Sequence, residues 1–342
     1  MCCLRHEGGG NLSGRPMSGI LPNLKSVDTS IMKIAFVFPG QGSQSVGMLD
    51  VWAGNAAVAD VIARAGQALD QDLGALIAQG PADQLNLTIN TQPAMLTAGV
   101  AVYAAWRAAG GPLPALMAGH SLGEYAALTA AGALTLEDAV RLVRVRADAM
   151  QAAVPVGTGG MAAILGLDDD AVRAACAQAA QGEIVEAVNF NAPAQVVIAG
   201  HKAAVERACE AAKAAGAKRA LPLPVSAPFH SSLLKPAAEV LASALSQASV
   251  LAPQVPVINN VDVAAPGEPD AIRDALVRQA WHPVRWVETL RAMKEQGVTH
   301  VVECGPGKVL AGLTKRIDSE LIGLSITDPA SLEAALATLG QA

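Results

Sequence analysis

The sequence predicts an α/β fold: a large domain built on a parallel sheet, with a smaller subdomain inserted into it. Three short apolar runs each end at a glycine-bearing turn and lead towards a helical pattern, which is typical of parallel strands alternating with helices. Between the second and the third of these units, the predicted order changes to β-α-β-β-α-β. Of the 342 residues, 52% are hydrophobic and 16% are charged, which is enough apolar material for a large core.

Residues 1–31 differ in composition from the rest of the chain. They are rich in Gly, Ser, Pro and Asn and show no apolar periodicity. They lack the apolar block of roughly 7–15 residues that a secretory signal needs, and Glu7 and Asp28 argue against a transit peptide. We therefore expect a disordered extension and a folded chain that begins near Met32.

The large domain is predicted to comprise residues 32–157 and 227–342. Residues 33–44, "KIAFVFPGQGSQ", form a buried parallel strand that stops at a glycine-rich turn and feeds a helix. Residues 113–134 and 298–317 repeat this pattern. Because the turns after parallel strands gather at the carboxyl edge of a sheet, the three turns are expected to form a candidate site.

The inserted subdomain is predicted to comprise residues 158–226. Its elements are a strand at 159–167, a helix at 168–180, strands at 184–191 and 195–201, a helix at 202–216 and a strand at 218–225. This order is the ferredoxin-like pattern.

"GHSLGEY", residues 119–125, contains the G-x-S-x-G signature of a nucleophile elbow at a strand-to-helix turn. The large domain is therefore expected to be α/β-hydrolase-like. A tight turn holds the Ser121 hydroxyl at the helix N-terminus, where backbone N–H groups can stabilise an oxyanion. Glu124 follows the turn and is expected to point along the new helix in a structural role.

A serine nucleophile needs a base, and the chain has six histidines. His230 lies in a loop where the inserted subdomain returns to the large domain, so its position favours it. His120 is expected to form a wall of the site or to pack in the core. His201, His282 and His300 lie near the ends of elements, where a solvated or capping histidine is the expectation.

The segment 135–153, "TLEDAVRLVRVRADAMQAA", predicts a helix that places an arginine on its apolar face. Thr135 followed by Asp138 is a helix-start signature. At ~100° per residue, Arg146 falls in the middle of the face that includes Leu142 and Met150. A buried arginine is costly unless a carboxylate meets it, and that carboxylate can belong to this protein or to a ligand.

Charge and cysteine usage exclude several classes of function. The formal net charge of −6 argues against bulk nucleic-acid binding, and no run of roughly 18 apolar residues predicts a membrane span. The five cysteines contain no C-x-x-C pair, so we expect a reducing compartment, the cytoplasm, and neither a metal site nor a cofactor. The cysteines are Cys2, Cys3, Cys176, Cys209 and Cys304.

Several long motifs occur in order from about Met32 to about Asp328. They include "FVFPGQGSQSVGML", "GHSLGEYAAL", "RLVRVRADAMQ", "VNFNAPAQVVIAG", "FHSSLL" and "GPGKVLAGLTKR". With these motifs the chain resembles the malonyl-CoA:acyl-carrier-protein transacylases of fatty-acid synthesis. The resemblance implies an enzyme, expected here to be a monomer, that transfers a malonyl group from malonyl-CoA to acyl carrier protein through a malonyl-serine.

The resemblance also implies a role for each site residue. Ser121 is the nucleophile, His230 is the general base, the main-chain carbonyl of Gln279 orients that histidine, the N–H groups of Gln41 and Leu122 form the oxyanion hole, and Arg146 binds the malonyl carboxylate.

Three residues are weaker candidates for substrate binding. Asn189 and Asn191 either contact the pantetheine or the acyl pocket, or are turn residues. Met150 is the third. Phe229, beside His230, is expected to narrow the acyl pocket and to favour malonyl over methylmalonyl groups.

Three other classes of protein stay open. An α/β-hydrolase esterase shares the elbow, but its histidine normally follows the last strand, whereas a further strand–helix unit follows His230 here. A polyketide-type acyltransferase differs mainly in the carrier protein that it serves. A non-catalytic binding protein needs no aligned Ser, His and Arg.

Acyl carrier proteins are acidic, so docking to this net-negative chain is expected to use a local basic patch near the sheet edge. The candidates are Lys308, Lys315, Arg316, Arg285 and Arg291.

Overall fold

The computed structural model describes residues 32–225 and 227–340. The predicted N-terminal extension, residues 1–31, lies outside the described residues. Residues Met32–Ala342 form one compact unit.

The described residues form two sheets. Their strands are β1 (Ile34–Phe38), β2 (Leu116–Gly119), β3 (Gly159–Leu165), β4 (Val185–Ala192), β5 (Gln195–His201), β6 (Arg219–Pro222), β7 (Val257–Ile258), β8 (His300–Cys304) and β9 (Ile322–Ile326).

The α-helices surround these sheets. They are α1 (Ala56–Leu69), α2 (Leu73–Gln79), α3 (Ala82–Leu85), α4 (Thr88–Ala108), α5 (Gly123–Ala130), α6 (Leu136–Ala152), α7 (Asp169–Ala180), α8 (Lys202–Ala214), α9 (Lys235–Gln247), α10 (Pro269–Gln279), α11 (Trp286–Glu295), α12 (Val309–Ile317) and α13 (Pro329–Leu339). Short 3₁₀ helices occur at Asp50–Trp52 and Ser232–Leu234. None of the helices in the described ranges is long and apolar enough to span a bilayer.

The first sheet is parallel, with strand order β7-β2-β1-β8-β9. Strand β1 lies at its centre and is buried along its whole length, as expected of a parallel strand covered by helices on both faces. On one face the core gathers side chains from α1, α4, α6 and α9, and on the other face it gathers side chains from α11 and α12. The predicted α/β class with a parallel sheet is confirmed.

The second sheet is antiparallel, with strand order β4-β5-β3-β6. Helices α7 and α8 cover one face of it and share its apolar core. The chain order β3-α7-β4-β5-α8-β6 is the predicted ferredoxin-like one. All these elements lie within residues 158–226, but both sheets belong to one compact unit, so the proposed subdomain boundaries stay a prediction.

The segment after β1 differs from the expectation of a strand feeding directly into a helix. Gly42 and Gly47 adopt φ values of 115° and 79°, which a helix cannot contain. The chain makes a turn and a 3₁₀ segment before α1 starts at Ala56, where the Asn55 side chain accepts hydrogen bonds from the first turn.

Three turns meet at the carboxyl edge of the parallel sheet, as the sequence predicts. Strands β2, β1 and β8 are neighbours, so the turns that follow them lie side by side. A Cβ at Gly40 would lie 2.7 Å from the His120 carbonyl oxygen, and one at Gly307 would lie 3.0 Å from the Ser43 side chain. The antiparallel layer closes over this edge, where Phe190 N donates to Val284 O at 3.0 Å.

Candidate active site

The turn between β2 and α5 has the geometry of a nucleophile elbow. Ser121 adopts a φ of 53°, in the left-handed region. A Cβ at Gly119 would lie 1.8 Å from the Gly123 carbonyl carbon, and one at Gly123 would lie 2.1 Å from the Phe38 carbonyl oxygen. Both glycines of the motif are therefore required by backbone contacts.

Asn260 clamps this elbow from the loop after β7. Its Oδ1 accepts a hydrogen bond from Ser121 N at 2.7 Å, and its Nδ2 donates to Gly119 O at 2.7 Å. Because the Ser121 amide is occupied, it is not available to an oxyanion.

Ser121 and His230 lie within hydrogen-bond distance, with 2.6 Å between Oγ and Nε2. His230 Nδ1 lies 2.9 Å from the carbonyl oxygen of Gln279. A carbonyl can only accept, so Nδ1 carries the hydrogen and Nε2 is free to take the hydroxyl proton. Burial, followed by the positive charge of Arg146, lowers the pKa of His230 to about 3, so the imidazole is neutral at ordinary pH.

Arg146 is buried beside Ser121. Its guanidinium donates to Gln92 Oε1 at 2.8 Å, to Gln279 Oε1 at 2.9 Å and to Ser121 Oγ at 3.1 Å. Arg146 is only 2% exposed, and burial lowers its pKa. Within residues 32–225 and 227–340 it forms no ion pair with an Asp or Glu, so a protein acid in direct contact is not what offsets its charge.

Two backbone amides are suited to an oxyanion. Gln41 follows β1 and Leu122 follows Ser121, and both line the same pocket. Neither N–H donates to a protein group in the described part of the chain. Their position on adjacent turns is the arrangement that an oxyanion hole requires.

A pocket of about 130 Å³ opens over Ser121 between the two sheets. Its polar lining comprises Gln41, Gln92, His120, Ser121, Arg146, Asn189 and His230, and its apolar lining comprises Leu122, Met161, Val197, Leu223, Val225 and Phe229. The space suits a short acyl group with one charged end. Phe229 contributes to the walls, in keeping with its expected role in limiting the acyl group.

The weaker candidates for substrate binding separate in space. Asn189 lines the pocket, and its Oδ1 has no hydrogen-bond partner within the described ranges. Asn191 does not line the pocket itself but contacts a residue that does, since its Oδ1 lies 2.7 Å from His120 Nε2. Met150 lies behind Gln92, with 4.0 Å between its Sδ and Gln92 Nε2, and is not part of the pocket wall.

Sequence reasoning missed three contributions to this site. Asn260 and Gln92 were not singled out, and only the main-chain carbonyl of Gln279 was expected, whereas its side chain also binds Arg146 and Ser121 O. A signal existed for Gln92, because it is a long polar side chain at the start of the mainly apolar helix α4. Asn260 could have been suspected because it follows a strand at the same sheet edge.

Comparison with known proteins places this geometry in a family. Residues 35–334 match the acyl transferase domain family. The malonyl CoA-acyl carrier protein transacylase of Salmonella typhimurium is 58% identical over 305 residues, which cover 89% of this chain and 99% of that protein. An acyl-carrier-protein S-malonyltransferase from Burkholderia pseudomallei is 67% identical, with a TM-score of 0.88 over 90% of this chain and 100% of that chain.

A third relative was solved together with its partner. It is a malonyl-transacylase in complex with a type II PKS acyl-carrier protein, 54% identical with a TM-score of 0.88, covering 90% of this chain and 99% of that chain. Extended identity, a shared fold and a complete Ser–His–Arg constellation lead to one assignment: this chain belongs to the acyl transferase family that includes the malonyl CoA-acyl carrier protein transacylases.

Proposed function

We propose that this protein transfers the malonyl group of malonyl-CoA to the phosphopantetheine thiol of acyl carrier protein, through a malonyl ester of Ser121, for fatty-acid biosynthesis. The observation that carries the proposal is the buried Arg146 guanidinium, which lies 3.1 Å from Ser121 Oγ and contacts no Asp or Glu among residues 32–225 and 227–340. A substrate with a carboxylate close to its reactive carbonyl satisfies that charge with a bidentate ion pair.

In the first half-reaction, Ser121 Oγ attacks the thioester carbonyl while His230 Nε2 takes the hydroxyl proton. The N–H groups of Gln41 and Leu122 stabilise the tetrahedral oxyanion. Collapse breaks the carbon–sulfur bond, and the coenzyme A thiolate leaves with the proton from His230. The malonyl carboxylate also offsets the charge of Arg146, so substrate binding raises the pKa of His230 and makes it a stronger base.

In the second half-reaction, the carrier-protein thiol attacks the malonyl-serine ester and gives its proton to His230 Nε2. The ester bond breaks, and Ser121 Oγ takes the proton back. The Gln279 carbonyl, 2.9 Å from His230 Nδ1, stabilises the imidazolium in both half-reactions. It takes the place of the acidic residue that completes a catalytic triad.

A polyketide-type acyltransferase is the second candidate. The solved relative that is bound to a type II PKS acyl-carrier protein favours it. The two candidates share the chemistry of the site and differ in the carrier protein that they serve. A serine esterase is disfavoured, because the histidine-orienting group is a main-chain carbonyl and the strand–helix unit β8–α12 follows His230.

The oligomeric state and the cellular location are also part of the proposal. We expect the enzyme to work as a monomer and in the cytoplasm. The free, buried Cys176, Cys209 and Cys304 support a reducing compartment.

Intact-mass spectrometry after brief mixing with malonyl-CoA tests the proposal. The wild-type protein should gain the mass of one malonyl group and lose it when acyl carrier protein is added, whereas Ser121→Ala should stay unmodified. The adduct should persist in buffer, as ping-pong kinetics require. Release to water as fast as to carrier protein would support the esterase instead.

A further inference from the structure

Glu124 is a buried carboxylate directly beneath the nucleophile. It is 2% exposed and lies in the first turn of α5. Its Oε2 accepts hydrogen bonds from Asn260 N and from Gln279 Nε2, both at 2.9 Å. None of the reaction steps above uses this carboxylate, and it does not touch the pocket.

The hydrogen bonds of Gln279 have a single consistent orientation. Its amide nitrogen has two acceptors, Glu124 Oε2 and Ser121 O, both at 2.9 Å. Its amide oxygen therefore faces Arg146, which donates to it at 2.9 Å. If the amide group turned over, its nitrogen would face the guanidinium and its oxygen would face two acceptors, so all three hydrogen bonds would be lost. Glu124, together with the Ser121 carbonyl, thus fixes the orientation of the Gln279 amide, so that the amide oxygen faces Arg146.

The Gln279 amide separates the Glu124 carboxyl group from the Arg146 guanidinium. A carboxylate in contact with Arg146 would occupy the donors that an acyl carboxylate needs. Burial raises the pKa of Glu124 and lowers that of Arg146, and the attraction between the two groups across the Gln279 amide partly opposes both shifts. The guanidinium keeps a donor directed at Ser121 Oγ, where an acyl group will sit.

We propose that Glu124 is a positioning residue that acts through the side chain of Gln279 to hold Arg146 for a negatively charged acyl group. Glu124 thereby contributes to the preference for malonyl over neutral acyl thioesters. This inference rests on the proposed function, since it concerns selectivity in the same acyl transfer. It assigns no proton transfer to Glu124.

The test compares kcat/KM for malonyl-CoA with kcat/KM for acetyl-CoA, a neutral acyl donor. Glu124→Ala should lower the malonyl value roughly tenfold, within the range of couplings between residues of one hydrogen-bond network, and should change the acetyl value much less. Gln279→Leu keeps the main-chain carbonyl and removes the amide, so it should cause a similar loss of selectivity. The double variant should be no less selective than Gln279→Leu alone, because Glu124 acts through that amide.

Two further variants keep the test decisive. Glu303 is also fully buried, and its Oε2 accepts from Ala311 N at 2.8 Å, outside the pocket. Glu303→Ala should cost stability but leave the selectivity ratio unchanged. If Glu124→Ala does not fold, Glu124→Asp retracts the acceptor by one methylene and should lower selectivity in the same direction.

The outcomes separate this inference from the proposed function. A wild-type protein that forms no malonyl-serine overturns the proposed function. A wild-type protein that does so, together with a folded Glu124 variant in which both substrates lose the same factor, overturns the inference alone. Losses of selectivity that multiply in the double variant also overturn it, because they show that Glu124 does not act through Gln279.

Discussion

Arg146 carries a buried charge, and the groups that contact it are neutral, so it provides the sharpest test at the level of single residues. Arg146→Ala removes one partner of a buried ion pair, which typically costs ~2–5 kcal/mol, or roughly 30- to several-thousand-fold in kcat/KM for malonyl-CoA. The value of kcat/KM for acetyl-CoA should stay the same or rise, because a neutral acyl group no longer faces an unpaired cation. Steady-state kinetics with both substrates give the ratio, and an equal fall for both would assign Arg146 a structural role.

His230 and Glu124 have opposite effects on how stability depends on pH. Burial raises the pKa of Glu124 from 4.5 to about 7, so the folded state takes up this proton first and the group stabilises the fold as pH falls from 7 to 4.5. Burial and Arg146 lower the pKa of His230 from 6.5 to about 3, so the unfolded state takes up this proton first and the fold loses stability as pH falls from 6.5 to 3. The two effects oppose each other between pH 4.5 and 6.5.

Glu124→Gln removes the group whose protonation stabilises the fold as pH falls, and it leaves the opposing effect of His230 in place. The Tm of the variant should therefore fall more steeply than that of the wild type between pH 7 and pH 5. Differential scanning fluorimetry at several pH values measures this, with Glu239→Gln on the exposed side of α9 as the control. Parallel curves for Glu124→Gln and the wild type would show that Glu124 does not titrate in this window.

At the scale of elements, the turn from β2 to α5 depends on close backbone contact with β1. Gly123→Ala would place a methyl group 2.1 Å from the Phe38 carbonyl oxygen, which belongs to the central strand and cannot move aside. We expect little folded protein and no malonyl-serine, as measured by circular dichroism and intact mass. The matched change Gly312→Ala, in α12, meets no atom within 4 Å and should raise stability by about 0.5–1 kcal/mol. Normal folding of Gly123→Ala would contradict the described elbow.

At the scale of the whole molecule, an acidic enzyme must recognise an acidic carrier protein. Lys308 and Lys315 are exposed on the unit that follows β8, and neither forms an ion pair in residues 32–225 and 227–340. Arg285, in contrast, is paired with Glu288. Arg291 and Arg316 are also exposed and form no ion pair within the described ranges, so Arg285 is the predicted docking residue that the structure disfavours.

Charge reversal of both lysines, Lys308→Glu with Lys315→Glu, should raise KM for acyl carrier protein several-fold and leave KM for malonyl-CoA little changed. The expected rise in KM should shrink at high salt, since screening weakens the attraction. Lys213→Glu, on α8 of the antiparallel layer, is the control. Equal effects on both substrates would point to a coenzyme A phosphate site instead.

The elements and the candidate site residues could be proposed from the sequence because their signals are local. Alternating strand and helix patterns, glycine-bearing turns and the β-α-β-β-α-β order indicate both sheets. G-x-S-x-G indicates the elbow, and an arginine on an apolar helix face indicates a buried charge. The position of His230 in the chain already favoured it as the base, and the resemblance supplied its role and the Gln279 carbonyl, which lies 49 residues away in the chain.

The hydrogen bonds that connect the buried polar groups follow from the folded structure and not from any local sequence signal. Asn260 meets Ser121 across 139 residues, Gln279 meets Glu124 across 155, and Gln92 meets Arg146 across 54. The spacing of residues along the chain does not predict such contacts, because hydrogen-bond donors and acceptors pair according to distance and direction in space. An arginine on an apolar helix face and a serine in a strand-to-helix turn could both be recognised in the sequence alone. Among residues 32–225 and 227–340, the fold places amide oxygens rather than carboxylates against the guanidinium, so its charge stays open to an anionic ligand.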